Sequence, residues 1–545
     1  MKNAKRIISM LLVLVMTLGL LAGCKKKEET KVDEGDRTLT VGIPQDSNIP
    51  DYDTNAFSLY LEETLNIDIE WDYFARNGAN YQRQLTLRCT GEEDLPDVIL
   101  LKMTHYLLNQ FGEDGYIMDL RPLIDKYGKN FKQQLTLLDQ EYQDFIWEKG
   151  TNTVTGGFYG MPLVCGMFVD NLQTLAYINQ DWLNKVNKKV PTNTNELYDV
   201  LKAWKAYGDL NGNGDPQDEL LMVGDGIRQV IHNAYVELAG NNWNVKNGKL
   251  WDPLRSQEFR DSVIFLNKLT KEGLVDKLTF SINGNTEYKQ LVSPVDGPTK
   301  VGIWTGHYAT RANPAGDHLK DFVAWAPLDN KTGKGGYTIY SPHMVDWGGM
   351  ISAECKKPQL AMEFLDVFYL DETVARMRHG EKDVDWTYGE GKNLQGTTSF
   401  VNVVKGHEQA WFDGSMNACM DNFLGVMVPE NYLTVLPADE SKLTVHGREG
   451  NRLYREFWSI LQTGKKQEEM LGDLFYTPEE YDVREAKAGN MTSYASEEII
   501  NFIANEKDPN VQANWDAYYK KLDQLGRTEL QGIAQSAYTR KINDK

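Results

Sequence analysis

The sequence predicts an α/β fold built on a parallel sheet, and three observations carry that prediction. Between residues 39 and 101 the hydrophobic period switches in the order strand, helix, strand, helix, strand. A chain of 545 residues is long enough for two or three domains with sizeable cores. Short apolar segments and amphipathic helices then alternate again through the middle of the chain and beyond residue 300.

The first strand, residues 39–43, runs into a turn-rich loop at 44–50. Phe57, Tyr60, Leu61 and Leu65 follow at helical spacing, and residues 67–73 alternate cleanly as a second strand. A second helix is predicted at 81–88 and a buried strand at 95–101. Open sheets of this kind bind ligands at the carboxyl ends of their strands. That rule selects the loop 44–48, the stretch after Tyr73 and residues 102–105.

Apolar segments at 159–163 and 175–183 precede a helix with a turn start across 191–204. Residues 300–304 read as a strand ending in a loop, 305–308, rich in glycine and aromatic residues. After apolar segments at 322–327 and 348–352, a helix starts near Pro358 with Leu360, Phe364, Val367 and Phe368 on one face. Two more helices close the chain. One spans 496–503 with Ser496 as its N-cap. The other sets Trp515, Tyr518, Tyr519, Leu522 and Leu525 in a stripe that reads as a packed face. Solenoid and propeller repeats are absent from the sequence.

The amino terminus has its own logic. Lys2, Lys5 and Arg6 precede an apolar run at 7–20, then Leu21, Ala22, Gly23 and Cys24. This is a secretory signal pattern, too short and wrongly flanked for a spanning helix. Its end resembles the lipobox of bacterial lipoproteins, so residues 1–23 are expected to be removed and the Cys24 thiol to carry diacylglycerol. That places the body on the outer face of a cell membrane, as in Gram-positive lipoproteins. Residues 24–37 have almost no apolar character and read as a flexible tether.

Formal net charge is −20, and cleavage would remove three basic residues and no acidic one. A body this acidic argues against nucleic acid as a partner. Thirteen Trp and 27 Tyr supply flat apolar faces with polar edges, which suit sugar rings, although most must serve packing. Cys89, Cys165, Cys355 and Cys419 show no metal-ligand spacing. Three disulfide pairings and isolated thiols both stay open.

Residues 209–219 form the sharpest local motif. Asp209, Asn211 and Asn213 place oxygens at alternating positions before Gly214, as in the first half of a calcium loop. A dense set of short oxygen ligands suits a hard cation. The twelfth position is Leu220 where such a loop has Glu, so Asp218 and Glu219, with the Asp215 carbonyl, would have to serve late. The competing reading is an acidic surface loop without metal.

At this point the chain resembles the extracellular solute-binding proteins, family 1, in their larger alginate-binding-like branch. The resemblance rests on the lipobox, residues 95–99, the pair 159–162 and 177–183, the motif at 209–214, residues 357–365 and residues 515–519. It implies a two-lobed periplasmic-binding-protein-like α/β fold of type II, with interleaved lobes and a ligand cleft at the hinge. Lobe 1 would hold 38–165 and 352–430, and lobe 2 would hold 166–351 and 431–545. It further implies a monomer that captures an oligosaccharide and passes it to the permease subunits of an ABC importer. The lipid would be its one membrane attachment, and the calcium ion would brace a loop of lobe 2.

Expected ligand contacts are Asp46 and Ser47 after the first strand, and Lys102, Thr104 and His105 after the third. Trp304, His307 and Tyr308 belong to the glycine-containing loop, Trp347 to a crossing segment, and Trp386 to an aromatic stretch shared with relatives. Aromatic faces would stack on pyranose rings while carboxylates accept hydroxyl protons. A glycoside hydrolase is the main alternative, needing two carboxylates about 5–10 Å apart. Asp383 with Asp385, or Glu92 with Glu93, would be the candidates, but such pairs are common in so acidic a chain. The sequence holds no nucleophile elbow, HExxH or P-loop. A sensory or adhesion lipoprotein is a third reading.

Overall fold

The structure is a computed structural model and describes residues 35–46, 49, 51–76, 78–91, 94–152, 155–165, 175–238, 243–282, 285–306, 317–338, 345–389, 401–404, 425–427, 445–466, 469, 471, 474 and 476–543. Cys24 and residues 1–23, expected to be a signal segment, lie outside these residues.

In lobe 1 the predicted alternation appears as β1 (Thr38–Pro44), α1 (Ala56–Leu65), β2 (Asp68–Phe74), α2 (Gly78–Thr90) and β3 (Val98–Ile99). β1 runs parallel to both β2 and β3. Helix α1 starts where the Asn55 side chain accepts from Phe57 N and stops at Asn66, whose φ of 51° is left-handed. Helix α3 (His105–Glu113) follows β3, and β4 (Met161–Cys165) leads out of the lobe. The buried run at 95–101 supplies only a two-residue strand, and Leu100 N completes its ladder on β1 by donating to the Gly42 carbonyl (2.8 Å).

Lobe 2 contains β5 (Leu175–Asn179), α4 (Thr194–Tyr207), β6 (Leu220–Met222), α5 (Ile227–Asn233), α6 (Gln257–Lys271), β7 (Val301–Gly306) and β8 (Phe322–Trp325). Its sheet has the order β8-β5-β7-β6, with β6 and β7 parallel. Helix α4 lies close on this sheet. A Cβ on Gly302 would meet the rings of Trp204 (2.6 Å) and Trp182 (2.9 Å), so only glycine lets them approach.

The chain returns through β9 (Val345–Gly348), antiparallel to β4, and β10 (Met350–Ile351), antiparallel to β3. Helix α7 (Pro358–Val367) then packs on lobe 1, and β11 (Gly425–Met427) runs parallel to β4. One core gathers residues from Leu39 to Val164 together with Val345, Trp347, Met350, Ile351 and the α7 face. A second gathers residues from Ala176 to Leu328 with the carboxyl-terminal helices. The expectation that residues up to 351 belong to lobe 2 is therefore corrected. The strands at 345–351 hydrogen-bond to lobe 1 and bury their apolar side chains there.

The carboxyl-terminal helices are α8 (Pro478–Ile503), α9 (Gln512–Gln524) and α10 (Arg527–Asn543). Ser496 is not an N-cap but an interior residue of α8. The start lies at Thr477, where a capping box with Glu480 and Pro478 in the first turn satisfies the free amides. Arg527, fully buried, anchors α10. Its Nε and Nη2 donate to Asp252 (2.9 and 2.6 Å), and its guanidinium lies 4.0 Å from the Trp243 ring centroid. Nearby, His232 packs on Phe259 and places Nδ1 2.7 Å from Ser262 Oγ. Burial drives its pKa from 6.5 down to about 3.

Residues 36 and 37, expected to lie in the flexible tether, are held on the folded body. Arg37 donates to the carbonyls of Asn66 (2.7 Å) and Leu65 (2.8 Å), and Asp36 pairs with Lys357 (2.6 Å). Cys89 and Cys355 are free, buried thiols, pushed up by burial to about 11 and about 12. Cys419 and the side chain of Cys165 lie outside the described residues. Among the described residues, no helix is long and apolar enough to cross a membrane.

Candidate functional site

Parallel strands leave their carboxyl ends along one edge of each sheet, and polar side chains collect there in both lobes. In lobe 1, Asp46 follows β1. Its amide donates to Tyr52 Oη (2.8 Å), and its buried carboxylate meets the exposed Arg76 guanidinium at 2.8 Å. Arg76 comes from the stretch after β2. After β3, the Lys102 carbonyl accepts from Tyr81 Oη (2.7 Å), and its ammonium pairs with Asp346 of β9. Thr104 is the N-cap of α3, its oxygen accepting from Leu107 N (3.3 Å). His105 begins that helix, with its ring centroid 6.2 Å from Trp347. The structure thus brings Asp46, Lys102, Thr104 and His105 to one edge, while Ser47 lies outside the described residues.

In lobe 2 the corresponding edge holds Asp225, just beyond β6. Its carboxylate accepts from Tyr288 Oη (3.0 Å), and Thr305 of β7 takes the Gly226 amide (2.9 Å). Arg228, one turn on, donates to Ser496 Oγ of α8 (3.3 Å), and burial pulls its pKa down. Asp225, Arg228 and Arg76 were missed by sequence reasoning. The available signal was the Gly224-Asp225-Gly226 turn between an apolar strand and a helix.

Three tryptophans expected to stack on ligand serve packing instead. Trp304 is fully buried, stacked on Tyr177 with centroids 4.1 Å apart. Its strand is flanked by β5 and β6 and buried at every position. Trp347 points into the lobe 1 core, edge-on to Phe158 at 5.5 Å. Trp386 is fully buried and donates Nε1 to the Gly380 carbonyl (3.0 Å). His307 and Tyr308 lie outside the described residues. Of the hydrolase candidates, Asp385 caps its own turn by accepting from Glu381 N (2.7 Å), and Asp383 sits in that turn with a φ of 66°. Glu92 and Glu93 are not described.

The loop 209–219 folds around its carboxylates. Asp209 accepts the amides of Gly212, Asn213 and Gly214 at 2.7–3.0 Å. Gly212 and Gly214 hold φ of 76° and 91°. The amide groups of Asn211 and Asn213 converge on Asp218 at 2.9 and 2.8 Å, with Lys300 3.3 Å away. Glu219 turns Oε1 to Leu210 N (2.8 Å), while its Oε2 is buried with no hydrogen-bond partner. Burial pushes the Glu219 carboxyl up. Asp215 instead caps the next turn through Gln217 N (3.1 Å). Among the described residues, no three His, Cys, Asp or Glu side chains gather closely enough to hold a metal by themselves. Any cation here therefore needs the asparagine oxygens. Asp209, Asn211, Asn213 and Asp218 with an orphaned Glu219 oxygen are the donor types an oxygen-loving ion takes, while here the Asn211 and Asn213 oxygens accept the amides of Asn213 (3.0 Å) and Asp215 (2.7 Å).

Residues 46–375 match the model of the family described as bacterial extracellular solute-binding protein. The chain is similar to the fructooligosaccharide ABC transporter substrate-binding protein FusA of Streptococcus pneumoniae, 23% identical over 508 residues. That match covers 88% of this chain and 85% of FusA. Its fold is similar to that of an HMO binding ABC-transporter associated solute binding protein from Bifidobacterium longum infantis. The TM-score is 0.73 at 19% identity, covering 93% and 99% of the two chains. It is also similar to FusA solved as an EF-hand mutant in complex with fructo-nystose, with TM-score 0.71, 19% identity and coverage of 93% and 100%.

Proposed function

The chain belongs to the bacterial extracellular solute-binding protein family, and on that premise we propose that it captures an oligosaccharide between its lobes for delivery to an ABC importer. One observation carries this reading. Each lobe ends its parallel strands in an edge of carboxylate, hydroxyl and cationic groups, in a chain similar along most of its length to a fructooligosaccharide-binding protein. Asp46, Lys102, Thr104 and His105 from lobe 1 would meet sugar hydroxyls opposite Asp225 and Arg228 of lobe 2. Closure follows if the ligand binds the closed form better than the open one. Cys24 would carry the lipid, and the permease subunits would be separate chains.

Asp209, Asn211, Asn213, Asp218 and Glu219 would hold a calcium ion. The ion would supply positive charge that ties the loop together, away from any reacting group. The support is the donor set and the unpaired Glu219 oxygen, together with the EF-hand of the similar protein FusA.

Thermal-shift screening against an oligosaccharide panel that includes fructo-oligosaccharides tests the function, with product analysis on the same samples. A true ligand at a hundredfold excess over its Kd stabilises by about 2.7 kcal/mol, and the sugar is recovered intact. Release of shorter sugars would replace the receptor reading with a hydrolase. A flat panel would favour the sensory or adhesion role.

A further inference from the structure

Helix α3 belongs to lobe 1, since Leu108 and Phe111 lie in its core. Helix α8 belongs to lobe 2, where Met491, Ala495, Ile499 and Phe502 are core residues. The first turns of these two helices touch. Tyr106 and Tyr481 stack with ring centroids 3.5 Å apart and planes 5° from parallel. Neither ring is a member of either core. Around the stack, Tyr106 Oη lies 3.5 Å from Asp482 Oδ1, and the Arg484 guanidinium is 6.0 Å from the Tyr481 centroid. Thr104, the cap of α3, and Glu485 lie near Tyr481.

We infer that Tyr106 and Tyr481 form an interlobe latch that favours the closed arrangement before any ligand arrives. The first turn of α3 stands at the carboxyl end of β3, on the edge of lobe 1 where ligands enter folds of this class. A contact from that edge to the other lobe is made when the lobes approach and lost when they part. A stacked aromatic pair shifts a two-state equilibrium by roughly two- to tenfold. The apparent affinity of any ligand that needs the closed form rises with the closed fraction. The latch thus sets a resting closure that is independent of which sugar is bound.

Small-angle scattering of the full chain without ligand tests this, comparing wild type with Tyr106→Ala, Tyr481→Ala, the double variant and Tyr106→Phe. Both positions are helical, where alanine is favourable, so the helices persist. The expected result is a larger radius of gyration for each alanine variant and no further increase in the double variant, because both remove one contact. Tyr106→Phe, which keeps the ring, should match wild type. Superimposable profiles for all five proteins overturn the latch. So does a double variant that opens by the sum of the single effects. No sugar enters the measurement, so its failure is separate from failure of the capture reading.

Discussion

Lobe 2 holds two acidic sites in opposite ways. Asp252 is buried and met by cations of the chain itself, with both carboxylate oxygens on Arg527 and one also 3.2 Å from Arg255. Asp218 is met chiefly by neutral amides. Burial works against its charge, but the Asn213 and Asn211 amides and the Lys300 ammonium outweigh it and lower its pKa. Residues 209–219 carry four carboxylates, with Lys300 as the ammonium beside them. The difference separates a finished ion pair from the loop proposed to receive an ion. Where the chain supplies the counter-charge at bidentate geometry, the site is structural. Where amides only orient the oxygens, charge remains for an outside cation.

The largest effect should come from breaking the finished pair. Arg527→Met removes the buried guanidinium and leaves Asp252 with the Leu254 amide and Arg255 at the rim, so unfolding free energy should fall by about 3–5 kcal/mol. Denaturant unfolding measures it, and a loss well under that range would mean α10 is held by its other contacts, such as Gln535 on Leu250 and Arg540 on Glu480.

If the 209–219 loop holds the proposed ion, its stability should respond to calcium. Calcium at a hundredfold excess over its Kd should stabilise the chain by about 2.7 kcal/mol. Asp209→Asn should remove most of that gain. Calorimetry with and without calcium checks it, and identical melting curves would make the loop a closed turn.

His232 sharpens the comparison with a buried group that has a hydroxyl partner and a nearby like charge. Its folded pKa of about 3 lies below the ordinary 6.5, owing to burial and then to Arg228. The unfolded chain therefore binds the proton more tightly, so this contribution is complete above pH 6.5 and is lost as pH falls. By pH 5 the loss should be about 2 kcal/mol. Stability against pH for wild type and His232→Gln tests it. An unchanged acid slope in the variant would place the sensitivity elsewhere.

What the sequence determined by itself was local. The strand and helix periods of residues 38–90, the two glycine turns of the 209–219 loop and the Thr477–Glu480 capping box are all set by neighbours a few residues apart. The start of α8 at Thr477, and not at Ser496, is also set by a local signal, since Pro478 and Glu480 stand in the first turn. The tertiary structure alone decided which faces stay open. Trp304, Trp347 and Trp386 look identical in sequence to ligand-stacking residues, and only the strands and helices packed over them enclose their rings. Tyr106 and Tyr481, ordinary in sequence, meet because two lobes built from distant segments come together. Periodicity and turn chemistry act over one helical turn, whereas burial depends on whatever the rest of the chain brings alongside, which no local pattern encodes.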